Sequence, residues 1–313
     1  MTTAARPPEV TVIMVSYNTC ALTLKALETL FANAGDIAMR VVVWDNASAD
    51  GSALAIATRF PDVELIRSQE NIGFAAANNR VAEMALTDWL VLLNPDTETH
   101  PGAIAALVAF GKAHPRAGIV GGRTVFPDGS LNIASCWNRM TIWSLFCAAT
   151  GLSRIFPDSA LFNPEAIGGW RRDEVREVDI VVGCFFCIRA ALWRELGGFD
   201  ERYFMYGEEA DLCLRAAEKG FRPMITPDAQ IMHLVGASTK RREDKMVQLM
   251  RAKATLVRDH WSAPLRPLGI ALLWWWIANR RLVTGMATIF GLSKSAGMWR
   301  DVWRKRSDWL RGY

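Results

Sequence analysis

Apolar, β-branched runs alternate with helically spaced segments over the first 115 residues. Val10–Tyr17, Val41–Trp44, Val63–Ile66 and Trp89–Leu93 read as buried strands, being short continuous runs rich in Val, Ile and Leu. Between them, residues 19–33, Ser52–Phe60, 73–87 and 101–114 carry the apolar spacing of helices. Such alternation predicts parallel strands joined by right-handed crossovers. Three of these strands end in polar clusters: Ser16-Tyr17-Asn18, Asp45-Asn46 and Asn94-Pro95-Asp96. In an open α/β sheet the ligand crevice lies beyond the carboxyl ends of the strands, so these clusters are expected to converge.

The second half is more mixed. Residues 123–177 read as loop-rich, with an apolar stretch near 141–152. Val178–Ile188 reads as one strand, Glu208–Lys219 as a short helix stopped by Gly220, and Pro223–Thr226 and Gln230–Leu234 as two short strands. Residues 240–260 form a charged helix. Residues 265–292 are the most apolar, yet the uninterrupted part, Pro267 to Asn279, is too short for a spanning helix, which needs about 20 apolar residues.

Composition sharpens this in three places. Hydrophobic residues make up 51% and charged residues 22% of the 313, which excludes a disordered chain. Net charge is +4, but residues 264–313 hold nine basic and two acidic side chains, a local +7, with six of the thirteen Trp. A basic, Trp-rich tail suits an anionic membrane surface better than nucleic acid, for which no recognition motif is present. Packing of Trp274-Trp275-Trp276 on the domain is the plainer alternative. Met1 to Glu9 carry no apolar run of the signal-peptide kind. The six scattered cysteines read as reduced core thiols, Cys184 and Cys187 included. No G-x-G-x-x-G follows the first strand and no Walker A loop is present.

Seven motifs stand in order over residues 10–240: VSYN at 15–18, WDNASADGS at 44–52, ENIGFAAANN at 70–79, LLNPDTE at 92–98, VVGCFFCIRA at 181–190, LGGFDERYFMYGEEADLCLRA at 196–216, and His233 in IMHLVGAS. Together they resemble glycosyltransferase family 2, of the GT-A fold. In detail they are most like bacterial rhamnosyltransferases that build cell-surface glycans on a polyprenyl-diphosphate lipid. The fold this implies is α/β: a Rossmann-like, mostly parallel central sheet flanked by helices, with a C-terminal amphipathic helical tail. The expected division is a catalytic domain over 1–262 and a tail over 263–313.

The resemblance also implies roles. Sugar transfer from a nucleotide donor builds negative charge on the departing diphosphate, which a divalent cation offsets. Asn94-Pro95-Asp96 stands where the family has D-x-D, with Asn in place of the first Asp. Asp96 is then the main anionic ligand and His233 a further, imidazole ligand, for Mg²⁺ or Mn²⁺. Taken alone, Asp96 also suits a turn before a helix cap, and His233 a satisfied core histidine. Asp45 matches the residue that accepts from a pyrimidine N3–H, with Ser16, Tyr17 and Asn18 lining the same pocket. Asn71, Gly73 and Phe74 match a donor-side loop, and Asn78 and Asn79 are further donor-binding candidates.

Glu209 stands in the place of the base that deprotonates the acceptor hydroxyl, one methylene longer than the family's usual Asp. Glu208 and Asp211, three apart on a helix, share another face and are the alternatives. Acids in a helix's first turn are also favoured by the macrodipole alone.

The expected function is inverting transfer of a sugar, L-rhamnose from dTDP-rhamnose, to a lipid-linked saccharide at the cytoplasmic face of the inner membrane. A UDP-hexose donor and a non-catalytic membrane-bound scaffold remain alternatives, and a homo-oligomer stays open.

Overall fold

The computed structural model describes residues 7–234, 242–292 and 295–313. The chain divides into two compact units: residues 1–137, 171–204 and 208–238 form one, and 138–170, 205–207 and 239–313 the other. The boundary expected at 262 falls inside the second unit, because the helix before it and the helices after it share one apolar core.

The first unit is built on a ten-stranded sheet. Its strands, together with those of a separate two-stranded sheet, are β1 (Val10–Ser16), β2 (Met39–Asp45), β3 (Glu64–Arg67), β4 (Trp89–Leu93), β5 (Thr97–Thr99), β6 (Ile119–Val125), β7 (Leu131–Asn132), β8 (Cys136–Trp137), β9 (Arg176–Glu177), β10 (Ile180–Val181), β11 (Phe185–Arg189) and β12 (Met224–His233). The main order is β3-β2-β1-β4-β11-β6-β12-β5, and β8 pairs with β10 apart from it. β3, β2, β1 and β4 run parallel, in register from Val10 opposite Met39 and Trp89 to Ser16 opposite Asp45. β11 enters antiparallel between β4 and β6, and β12 runs parallel to β6.

Helices α1 (Cys20–Ala32), α2 (Ser52–Arg59), α3 (Phe74–Glu83) and α4 (Ala103–Ala113) fill the crossovers of the parallel half. Val10, Val12, Met14, Val41, Val43 and Val91 form the centre of one core with Leu27, Leu30 and Leu107. Strand order reverses beside β1, where β2 leads to one side and β4 lies on the other. That is the switch point at which a crevice opens in such sheets.

Three expectations change. Ile119–Val125 is a strand that its glycine pair conceals: a Cβ on Gly121 would lie 2.5 Å from Val181, and one on Gly122 2.3 Å from the Ala229 carbonyl. Val178–Ile188 is two strands, interrupted at Val182–Cys184. Residues 223–234 are one strand, with a bulge between Thr226 and Gln230.

The chain leaves the sheet for α5 (Ile142–Thr150) and α6 (Leu152–Ile155) and returns to add α7 (Ala190–Leu196) and α8 (Glu208–Glu218) to the first unit. The second unit joins α5 and α6 to α9 (Arg242–His260), α10 (Arg266–Ile289), α11 (Ala296–Arg304) and α12 (Arg306–Arg311). Its core holds Leu145, Met250, Val257, Leu273, Ile277 and Trp309. Inside it, Lys253 is paired with Glu165, and Asn279 Nδ2 donates to Ala149 O at 2.7 Å. Of the tail tryptophans, Trp309 is fully buried, Trp276, Trp299 and Trp303 pack on this core, and Trp274 and Trp275 are exposed. No helix among the described residues is long and apolar enough to cross a membrane. The cysteines carry free thiols, five of them buried.

Candidate active site

β2 delivers Asp45 and Asn46 to the carboxyl end of the sheet. Asp45 is only 3% exposed, and its Oδ1 has no hydrogen-bond partner among the described residues. A buried carboxylate oxygen left unsatisfied costs about 1–3 kcal/mol or more. Such an atom, aimed from a strand end, is an acceptor waiting for a donor.

Asn46, which the motif reading left without a role, organises the loop that follows. Its Nδ2 donates to Asn71 Oδ1 at 2.8 Å, and its Oδ1 accepts from Ile72 N at 2.9 Å. Asn71 Oδ1 in turn accepts from Gly73 N at 3.0 Å. Gly73 has φ +86°, and a Cβ there would stand 2.6 Å from the Phe204 carbonyl and 2.9 Å from its ring. The close approach that needs glycine is therefore by Phe204, whose carbonyl also accepts from Phe74 N at 3.0 Å.

The first cluster divides. Tyr17 is exposed, but Ser16 Oγ is buried in a hydroxyl group with Thr23 Oγ1 at 2.9 Å and Thr19 Oγ1 at 3.2 Å, so it faces the interior of the fold and not a ligand. Asn18, at φ +52°, ties the loop after β1 to the loop after β2: its N donates to Ser48 Oγ and its Oδ1 accepts from Ala49 N. Asn79 is likewise committed, bridging Phe199 N and Phe199 O at 2.9 Å each. Asn78 Nδ2 caps the Phe74 carbonyl, while its buried Oδ1 has no partner among the described residues.

At the end of β4, Asn94 N donates to Cys184 O at 3.1 Å, which stitches this strand end to the Val182–Cys184 interruption. Asp96 and His233 are both buried, with Oδ1 and Nε2 3.3 Å apart, and Leu234 N donates to Asp96 O. β5 pairing with β12 sets Thr97 opposite His233, which is why residues 137 apart in the chain meet. Burial opposes charge on His233, but the Cys184 thiol and the Asp96 carboxylate outweigh it and hold the imidazole up at about 10. Two ligand atoms at right angles on a small divalent ion, each about 2.1 Å from it, lie about 3 Å apart. The pair's spacing suits such an ion once Nε2 has released its proton, since a ligating histidine is neutral. No group of three or more His, Cys, Asp or Glu collects among the described residues.

Helix α8 presents the acids. Glu208 and Asp211 are buried, and Glu209 is half-buried one position round the helix. Asp211 is committed to Arg215, whose Nε approaches Oδ2 at 2.7 Å, while the same guanidinium reaches Leu196 O and Gly198 O. That bond fixes α8 against the turn after α7 and takes Asp211 out of the set of free bases. Burial first, then the neighbouring charge of Glu209, push the Glu208 carboxyl well above the usual carboxylate range. Of the three acids, Glu209 is the least buried. A Cβ on Gly183 would lie 3.3 Å from the Phe74 ring and 3.9 Å from Glu209 Cβ, so the strand interruption places Glu209 beside both the donor-side loop and the end of β4.

A buried acceptor, a carboxylate–imidazole pair and a half-exposed acid thus collect at one end of one sheet. Residues 11–192 match the family described as Glycosyl transferase family 2. An N-acetylglucosaminyl-diphospho-decaprenol L-rhamnosyltransferase of Mycobacterium tuberculosis is 31% identical over 245 residues, 72% of this chain and 78% of that protein. An O-antigen biosynthesis protein of Myxococcus xanthus is 26% identical over 242 residues, 74% of this chain and 18% of that much longer protein. Among solved structures, a mannosyltransferase from Pyrobaculum calidifontis, in complex with GDP-Man and Mn²⁺, superposes with a TM-score of 0.59 at 19% identity, over 98% of this chain and 87% of its own. The fold is the GT-A arrangement that the motifs implied, and the chain belongs to glycosyl transferase family 2, as a rhamnosyltransferase-like glycosyltransferase.

Proposed function

We propose that this chain transfers L-rhamnose, with inversion, from dTDP-rhamnose to a saccharide carried on a polyprenyl diphosphate, at the cytoplasmic membrane face during cell-surface glycan synthesis. The relative of known name acts on N-acetylglucosaminyl-diphospho-decaprenol, which supports the acceptor class and the sugar. The observation that carries the reading is the single half-exposed acid, Glu209, beside the Asp96–His233 pair and the unsatisfied Asp45.

Asp45 accepts from the N3–H of a thymine or uracil base, which satisfies its buried oxygen. The loop braced by Asn46 and Asn71 bounds the donor on one side, and Tyr17 is exposed just after β1. Asp96 and His233 would hold Mg²⁺ or Mn²⁺, which when bound supplies positive charge against the departing diphosphate. Glu209 takes the proton from the acceptor hydroxyl as that oxygen attacks the anomeric carbon.

The test is transfer by purified protein to N-acetylglucosaminyl-diphospho-polyprenol, with dTDP-rhamnose and UDP-hexoses offered separately. Glu209→Gln is expected to lower turnover about 10²–10⁴-fold and leave donor affinity near wild type. Transfer from a UDP-hexose alone would replace the donor in this reading. Absence of transfer and of hydrolysis from every donor would favour the scaffold alternative, and a fully active Glu209→Gln would move the base elsewhere.

A further inference from the structure

Helix α10 is apolar on two sides. One side, through Leu272, Leu273 and Ile277, packs into the core of the second unit. The other carries Leu268, Ala271, Trp275, Leu282, Met286 and Ile289, at steps of three, four and seven residues, the spacing of a single helical face. All six are exposed; Leu282 stands 62% and Ile289 81% accessible, and Phe290 and Leu292 extend the surface beyond the helix. No charged residue interrupts this stripe, which runs about 32 Å at 1.5 Å per residue. The second unit as a whole carries eighteen basic and seven acidic residues, net +11, while the first unit is net −7, which together give the chain's +4.

We propose that the outer face of α10 lies in the interface of an anionic bilayer, with this stripe set among the upper acyl chains. The claim rests on the membrane-linked reading above and identifies the surface that performs it. That surface is the aliphatic stripe and not the tryptophan cluster, since four of the six tail tryptophans are taken up by packing. A straight, uncharged stripe backed by a folded unit suits a helix lying in the interface plane. Charge chooses the occupant. Two copies meeting face to face would bring two +11 units together, whereas anionic lipid is attracted to each. The first unit, net −7, gains nothing electrostatically from such a surface.

The experiment is co-sedimentation of the full chain with vesicles of phosphatidylcholine and phosphatidylglycerol, and with phosphatidylcholine alone. Wild type is expected to bind the mixed vesicles, more weakly at high salt, and to bind neutral vesicles at least tenfold less. The double variant Leu282→Glu/Ile289→Glu is expected to lose at least tenfold in vesicle partition. Both positions are exposed and glutamate is a good helix former, so its circular dichroism, melting and nucleotide affinity should match wild type. A second variant, Met286→Gln, should show an intermediate loss. Wild-type partition by the double variant overturns the proposal. So does a dimer, seen by sedimentation equilibrium, that the double variant disperses, because the stripe is then a contact between copies. Loss of nucleotide binding and transfer with vesicle binding intact would instead refute the catalytic reading and leave this surface standing.

Discussion

Asp45 is where stability and function should part company. In the free protein its Oδ1 is buried without a partner among the described residues, so the fold carries a desolvation cost of about 1–3 kcal/mol there. Asp45→Asn keeps the shape, removes the charge and lets the amide turn either way. The variant should therefore melt at or slightly above the wild-type temperature, where most buried substitutions lower it. Binding should move the other way. A hydrogen bond to a charged acceptor is worth about 1.5–3 kcal/mol and a neutral one about 0.5–1.5. The difference of about 1–1.5 kcal/mol is close to a tenfold loss in nucleotide affinity. Asp45→Ala forfeits the whole bond, a loss of about 10- to 150-fold. Titration calorimetry with dTDP and UDP in the presence of Mn²⁺, run beside thermal melts, checks both halves. If Asp45→Asn melts several degrees lower and binds nucleotide as wild type does, Asp45 is a structural residue and the base pocket lies elsewhere.

Two other sites respond in defined ways. Asp96→Asn should remove the metal dependence of nucleotide binding, measured as affinity with and without Mn²⁺, because it takes away the charged oxygen that faces His233. The Glu208 carboxyl is raised by burial and by Glu209, so its contribution to stability is complete at pH below the ordinary carboxylate value and is lost as pH rises toward its folded-state value. Melts of Glu208→Gln against wild type should therefore converge at low pH and separate in favour of the variant as pH rises; parallel curves would show that Glu208 is charged in the fold.

Strands β1, β2 and β4 of the parallel half were legible because their centres are buried on both faces and bounded by helices. Trp89–Leu93 needs nothing beyond its own five residues to be read as a strand. β6 was not legible, because Gly121 and Gly122 are chosen by neighbours far away in sequence, Val181 and the Ala229 carbonyl, and lower the local strand signal. The acidic and polar strand ends were legible as a site by type and order. Which of them face a ligand was not. Ser16 and Asp211 look like site residues in the string, yet one is buried among threonines and the other is committed to Arg215. Asn46 shows the reverse: a small polar residue beside a conspicuous Asp whose bracing of residues 71–73 appears only once the loop after β3 returns to it. The tail's tryptophans were legible as a cluster, but their partners, Leu145 on α5 and Met250 on α9, come from opposite sides of the inserted sheet residues.

The antiparallel entry of β11 between β4 and β6 has a consequence for how the chain is made. As synthesis proceeds, β1, β2, β3 and β4 can pair soon after they emerge, since their partners are near in sequence. The outer edge of β4 cannot be closed until residues 185–189 appear, about ninety residues later. Through that interval a strand reading Trp-Leu-Val-Leu-Leu, buried along its whole length in the finished fold, presents an open row of backbone donors and acceptors. An unpaired apolar edge of that kind invites pairing with another nascent chain. Fragments that stop before residue 185 should therefore aggregate, while those that include residue 189 seal the edge. The stretch between β4 and β11 thus sets the length of a vulnerable window during translation, and slow synthesis across it would lengthen the exposure.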